Sequence, residues 1–278
     1  RMIYDAPYSV VADDMAINAE IPSNIAGKDE KQVGAEIAEA VSKACTRQGC
    51  GINALEIFVT KTVNTVRNSK GVNKTQTKYS ASIEAIPTCD EKEESVELFE
   101  TYTFGSLDLD GITREIAARL DDVSARANAI KPEVKLDCPV ILNAYELKTF
   151  FEEIASDANY ASVYMNSSLH KEGDLWQTSP NGDSLNITMR GVIEGSAYSN
   201  LFDREGTSLN DRKIIENGKI IAGYGTNRFA QYLGKEPTGA LQCMDVECGK
   251  TPVSEILASP HLECVYLSGL QVDLYNDY

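Results

Sequence analysis

Histidine is nearly missing from this chain, which carries only His170 and His261 in 278 residues. A zinc hydrolase usually draws on two or three imidazoles and a carboxylate base beside the metal-bound water. Neither H-E-x-x-H nor H-E-x-x-x-H occurs. Also missing are the G-x-S-x-G nucleophile elbow, the Walker glycine loop and the dinucleotide fingerprint. No apolar run nears the roughly 18 residues that a membrane-spanning helix needs, which argues against a membrane protein. Basic residues are outnumbered 26 to 42, for a net charge of -16, and such a surface repels phosphate backbones. Direct nucleic-acid binding is therefore not expected. The acids are dispersed rather than blocked, so solubility accounts for them more simply than mimicry of DNA. Seven cysteines, an odd number without a C-x-x-C pair, favour reduced thiols and a cytoplasmic setting. The chain opens on Arg1, so the lack of a leader carries little weight.

The residues present have the balance of a globular protein, 42% hydrophobic and 24% charged. From Asp29 to Gln48, the spacing of Val33, Ile37, Val41 and Ala44 predicts a helix with one apolar face, ended by Gly49 and Gly51. "ALEIFVTKTVNTV" (54–66) and "TKYSASIEAI" (77–86) read as strands joined by the turn "NSKG" (68–71). "SVELFETYTFGSLD" (95–108) reads as a further strand. A second helix carries Ile112, Ile116, Leu120, Val123, Ala127 and Ile130 on one stripe, stopped by Lys131-Pro132. Residues 1–132 are thus expected to form an α+β region, an antiparallel meander sheet with both helices on one face.

Residues 133–278 read as a β-rich mixed second domain. "PVILNA" (139–144) is expected to be a short buried strand, and "YELKTFFEEIASDAN" (145–159) an amphipathic helix. "SLNITMRG" (184–191) follows as a strand. Asn217-Gly218 is a strong hairpin signal, because both central residues of a type I′ turn need positive φ. It would pair Glu216 with Lys219, Ile215 with Ile220 and Ile214 with Ile221, giving an ion pair and two apolar pairs. Paired isoleucines on both strands imply cover on both faces. "TNRFAQYLG" can then start on Thr226 as N-cap and stop at Gly234.

Two sets of residues have ligand chemistry. Cys243, Cys248, His261 and Cys264 form C-x4-C-x12-H-x2-C, zinc-type donors at spacings unlike those of a standard knuckle. Ordinary buried thiols are the simpler reading, since Cys264 sits in the strand-like "LECVYL". Glu152, Glu153 and Asp157 could act as acid and base or hold a hard metal. The simpler reading there is a polar helix face with Phe150, Phe151 and Ile154 turned inward. His170, in "SSLHKEGD", reads as a solvated loop residue, and Ser268-Gly269 in "YLSGLQVD" as a turn.

Four passages together resemble the TldD/PmbA family, metallopeptidase-related proteins also known as modulators of DNA gyrase. The first runs from Ser199 to Gly234. It holds an "F-D-x-E-G" turn (Phe202, Asp203, Glu205, Gly206), an "I-x-x-G" hairpin (Asn217, Gly218) and an "R-x-A-x-x-L-G" helix (Arg228, Gly234). The others are "GKTPVSEIL", "YLSGLQVD" with Ser268 and Gly269, and the "N-S-x-G" turn within "VRNSKGV" (66–72). The resemblance implies a TldD/PmbA-like fold that lacks a family N-terminal strand and helix and the end of the C-terminal domain. It places the family's H-E-x-x-x-H helix after a strand like "PVIL", where this chain has "EEIASD"; the family's cysteine ligand would lie beyond Tyr278. It therefore implies a PmbA-like member with no cofactor of its own and no inherited catalytic residue. Zinc would belong to a TldD-like paralogue, and this chain would form a homodimer or pair with that paralogue to handle peptide substrates. An autonomous metal-dependent hydrolase and an acidic regulator of gyrase are the alternatives.

Overall fold

A computed structural model of the chain describes residues 7–264, apart from 13, 14, 93, 132, 134, 136, 180 and 181. Ser268 and Gly269 lie outside the described residues, as does the Pro132 expected to stop the second helix.

The first unit is built on two long strands. β2 (Cys50–Arg67) and β3 (Asn73–Cys89) run antiparallel from Arg67 opposite Asn73 to Cys50 opposite Cys89. The turn between them is closed by Asn68, whose side-chain oxygen accepts the N–H groups of Lys70 and Val72 at 2.9 and 3.2 Å. Gly71 there has φ 96°, which costs a glycine little. Side chains alternate between the faces of the sheet. Leu55, Ile57 and Val59, opposite Ala85, Ile83 and Ala81, point to the two covering helices.

α1 (Glu30–Ala44) begins at Asp29, whose carboxylate accepts the N–H of Gln32 at 3.0 Å. It buries Val33, Ile37, Val41 and Ala44, the stripe expected from sequence. α2 (Leu109–Ala127) is capped by Asp108 and buries Ile116, Leu120 and Val123. The Thr113 hydroxyl donates to the Ala40 carbonyl at 3.0 Å, tying α2 to α1. The expected stripe ran too far. α2 ends at Asn128, and Ile130 is 89% exposed because the sheet no longer lies beneath it.

Two features of the sheet were not anticipated. β1 (Ile17–Glu20) lies parallel to β3, so the sheet is more than a meander. The strand expected over 95–108 is two pieces, β4 (Val96–Glu97) and β5 (Glu100–Phe104), both on β3 in one continuous register. The break at Leu98 and Phe99 falls opposite Pro87, which has no N–H for the ladder. β3 thus has β2 along one side and β1, β5 and β4 in turn along the other.

In the second unit, β7 (Ile187–Arg190), β8 (Arg212–Glu216), β9 (Lys219–Ile220) and β10 (Cys243–Val246) form a sheet of order β10-β7-β8-β9. Asn217 (φ 49°) and Gly218 (φ 73°) make the expected turn, and Ile215 stands opposite Ile220. Ile214, Ile215 and Ile220 are buried, with Ile187, Met189 and Tyr224 around them. Glu216 does not form the expected ion pair across the turn: Lys213 holds it at 2.7 Å from the same strand. Ile221 is only partly covered, so the outer face is less closed than expected.

β6 (Val140–Leu142) pairs in parallel with β11 (Leu262–Cys264), which follows the single-turn α6 (Val253–Ile256). Neither strand is the buried one expected: Val140 is 59% exposed, because a two-stranded ribbon has little to cover it. α3 (Ala144–Asp157) starts on Asn143 and is followed directly by α4 (Tyr160–Met165), a turn and a half that the sequence reading had not anticipated. α5 (Asn227–Leu233) stops at Gly234 with φ 64°, as expected. It also starts with Thr226 at the N-cap, as expected, although Thr226 makes no side-chain cap bond.

Candidate functional site

Two of the passages singled out in sequence, the acidic turn at 202–206 and the β2–β3 turn, meet where the two units join. Lys74, Gln76 and Lys78 share one face of β3, and all three reach the second unit. The fully buried Lys74 donates through Nζ to the Gly206 carbonyl at 2.9 Å and to Ser208 Oγ at 2.7 Å. The Gln76 amide donates to Asn200 and accepts the N–H of Leu201 at 2.7 Å. Lys78 donates to the Ala197 carbonyl and to Asn200 Oδ1 at 3.1 and 3.2 Å.

The turn at Asp203–Thr207 is held by Asp203. One carboxylate oxygen accepts the N–H groups of Glu205 and Thr207 at 2.9 and 3.0 Å, and the other accepts the N–H of Ala240 at 3.1 Å. Gly206 has φ 88°, and a Cβ there would stand 2.7 Å from Val72 Cγ1. The acidic turn therefore rests on the β2–β3 turn, and only glycine allows that approach. Phe202 is buried beneath it.

Glu205 reaches from this turn to α5 and accepts the N–H of Arg228 at 3.1 Å, supplying the cap that Thr226 does not. Burial, reinforced by the neighbouring Asp203, pushes its carboxyl above the usual carboxylate range. The Arg228 guanidinium lies over the rings of Phe229, Tyr232 and Tyr8, at 5.3, 5.7 and 5.8 Å from their centres. α5 also holds the segment 7–12 by its backbone. The Ser9 carbonyl accepts from Asn227 and Gln231, and the Ser9 N–H donates to Gln231 Oε1 at 2.9 Å. Farther along, Asn68 donates to the Val11 carbonyl at 2.8 Å.

The expected ligand residues are dispersed. Glu152 and Glu153 are exposed on α3, and Glu152 faces Lys148 at 3.5 Å. Asp157 turns the other way and is buried. It accepts from His170 Nδ1 at 2.7 Å, from the N–H of Leu169 at 2.8 Å and from Trp176 Nε1 at 3.2 Å. His170, read as a solvated loop residue, is instead part-buried and stacks on Trp176 with ring centres 4.8 Å apart. Cys243 is buried on β10 beside the hydroxyls of Ser196 and Ser199, whereas Cys248 is exposed. His261 donates through Nδ1 to the Ser259 carbonyl at 2.6 Å, and Cys264 lies in β11. Among the described residues these four do not gather around a common point.

A catalytic zinc does not fit α3. The helix bears no imidazole, its two outer carboxylates face solvent, and both oxygens of Asp157 already accept hydrogen bonds. The sequence reading missed three things: the Asp157–His170–Trp176 knot, the cap from Glu205, and the backbone clasp on Ser9. An i,i+4 pair of amides at Asn227 and Gln231 was the one available hint, since it places both on one helix face.

A family model described as the PmbA/TldA metallopeptidase C-terminal domain matches residues 135–272. Among solved structures, TldE from Thermococcus kodakarensis is similar with a TM-score of 0.73 at 15% identity, over 90% of this chain and 60% of that one. A candidate modulator of DNA gyrase from Bacteroides thetaiotaomicron gives 0.63 at 15% identity, over 81% of this chain and 52% of that one. Another, from Thermotoga maritima, gives 0.59 at 16% identity, over 86% and 54%. No curated protein matches the sequence. At these identities the likeness establishes the fold, and this chain spans little more than half the length of the structures it matches.

Proposed function

Since this chain belongs to the TldD/PmbA family, through the domain matched over residues 135–272, we propose that it is the non-zinc subunit of a peptidase assembly. In this reading it forms a homodimer, or pairs in the cytoplasm with a TldD-like paralogue bearing H-E-x-x-x-H and the zinc. Its own part is to admit and position extended peptides.

The observation that carries this reading is the use made of α3. A helix in a zinc peptidase must keep its ligands free, whereas here Asp157 is locked to His170, Leu169 and Trp176 as internal scaffold. Support for peptide handling comes from β2, which among the described residues pairs only with β3. An open strand edge offers main-chain donors and acceptors to a second extended chain.

The test is co-expression of the full-length protein with the H-E-x-x-x-H paralogue of its own genome. Copurification is expected, with zinc in proportion to the paralogue and peptide cleavage only by the pair. Robust zinc-dependent cleavage by this protein alone would overturn the proposal. So would loss of activity on Glu153→Gln with the fold retained, because it would point to an autonomous site on α3.

A further inference from the structure

At the end of the first sheet farthest from the β2–β3 turn, Cys50 and Cys89 face one another. The Asp90 N–H donates to the Gly49 carbonyl at 2.8 Å, which makes residues 49 and 90 the hydrogen-bonded pair and residues 50 and 89 the neighbouring non-bonded one. In antiparallel sheets that second type brings side chains closest, with Cα atoms about 4.5 Å apart, inside the span that a disulfide bridges. The two sulfurs are 2.8 Å apart, the Cys50 thiol donating to Cys89. Cys89 is fully buried, and Cys50 is partly open to solvent.

A third group stands beside them. Glu91 lies 3.7 Å from Cys50 Sγ, and together the three residues present donors suited to a metal ion. The geometry disfavours that use. Two thiolates on one tetrahedral zinc stand about 3.8 Å apart, given a Zn–S bond of about 2.3 Å. Glu91 is also already engaged: Asn128 donates to it at 2.9 Å, Ser124 at 3.3 Å, and the Arg47 guanidinium lies 3.7 Å away. A cation placed there would face that guanidinium.

We infer that Cys50 and Cys89 form a reversible dithiol–disulfide site, oxidised by exchange with disulfides of the glutathione class. In the first step the Cys50 thiolate attacks one sulfur of the external disulfide and expels the other as a thiolate, leaving a mixed disulfide on Cys50. Cys89 then loses its proton, attacks the Cys50 sulfur and expels the second external thiolate. Two electrons pass from the protein sulfurs to the external disulfide, and its two leaving thiolates take up the two protons. The order follows from access, since only Cys50 meets solvent. Burial, with Cys89 alongside, pushes the Cys50 thiol up to about 11, so exchange at neutral pH is slow and the oxidised bond is persistent rather than quick to turn over. The bond would fasten the far ends of β2 and β3 beside the C-terminal end of α2, where Ser124 and Asn128 hold Glu91.

The test uses the full-length protein, reduced and then incubated with oxidised glutathione, followed by alkylation and tryptic mass mapping. Cleavage after Arg47 separates Cys45 from Cys50. The expected product is a Cys50–Cys89 cross-linked peptide pair, with a melting temperature about 5–10 °C above that of the reduced protein. Cys89→Ser should instead accumulate a glutathione adduct on Cys50, and Cys50→Ser should leave Cys89 unmodified in the folded protein. A wild-type adduct on Cys50 that never resolves onto Cys89 would overturn the proposal. Protection of both thiols by one bound zinc in the reduced protein would do the same, in favour of a metal site.

Discussion

Glu205 caps a helix that begins 22 positions later: its carboxylate accepts the backbone N–H of Arg228 at 3.1 Å. The acidic turn and the aromatic helix are therefore one unit, and their shared residues are the passages by which the chain resembles its family.

The pH dependence of that cap follows from its burial. The folded carboxyl of Glu205 is raised above 4.5, so its contribution to stability is full below that value and is lost as pH rises through the raised one. Glu205→Gln keeps an acceptor for the Arg228 N–H and removes the titration. Urea midpoints at pH 4 and pH 7.5 should show the variant gaining on the wild type as pH rises. Glu205→Ala, which removes the acceptor as well, should lose about 1 kcal/mol at pH 4 and less at pH 7.5. A Gln variant that instead falls further behind the wild type as pH rises would show that the helix end, rather than burial, governs this carboxyl.

Gly206→Ala combines a left-handed backbone with a contact of 2.7 Å to Val72. The expected loss is about 2–4 kcal/mol, from backbone strain and overpacking together. Adding Val72→Ala should recover the packing part and leave the conformational part. No recovery at all in the double variant would mean that Val72 is not the neighbour that matters.

Asp157→Asn replaces one oxygen by a donor facing other donors. The knot with His170, Leu169 and Trp176 should lose about 2–3 kcal/mol. Trp176 is the sole tryptophan, so its emission reads the site directly. A red shift at low denaturant, before global unfolding, is expected. An unchanged spectrum and midpoint would contradict the role assigned to this carboxylate.

The clasp on Ser9 is made by side-chain amides alone. Asn227→Ala with Gln231→Ala should release the segment 7–12 while α5 stays folded on Glu205 and its aromatic contacts. Amide hydrogen exchange at Ser9 should then approach that of an open chain. Retained protection would show that the rings around Arg228 suffice to hold the segment.

What could be read from sequence was local. The stripe Val33–Ile37–Val41–Ala44 and the turn at Asn217-Gly218 each declare themselves within a few residues, and both appear as expected. Ile130 shows the limit: its spacing continues the α2 stripe, but whether a core lies beneath it depends on where the sheet stops. Cys50 and Cys89, or Asp157 and His170, meet through register and loop path, which no spacing rule encodes. Glu205 was visible as part of a turn, but its partner 23 residues away was not.

β3 also bears on how the two units depend on one another. Both edges of this strand are used, one by β2 throughout and the other by β1, β5 and β4 in succession. β1 and β5 are both seated on β3, and β3 is paired with β2 down to the Asn68–Val72 turn. That turn is also what Gly206 rests on. The hairpin is thus common ground for both units: a change at its tip is felt by the sheet built on β3 and by the acidic turn that rests on Val72.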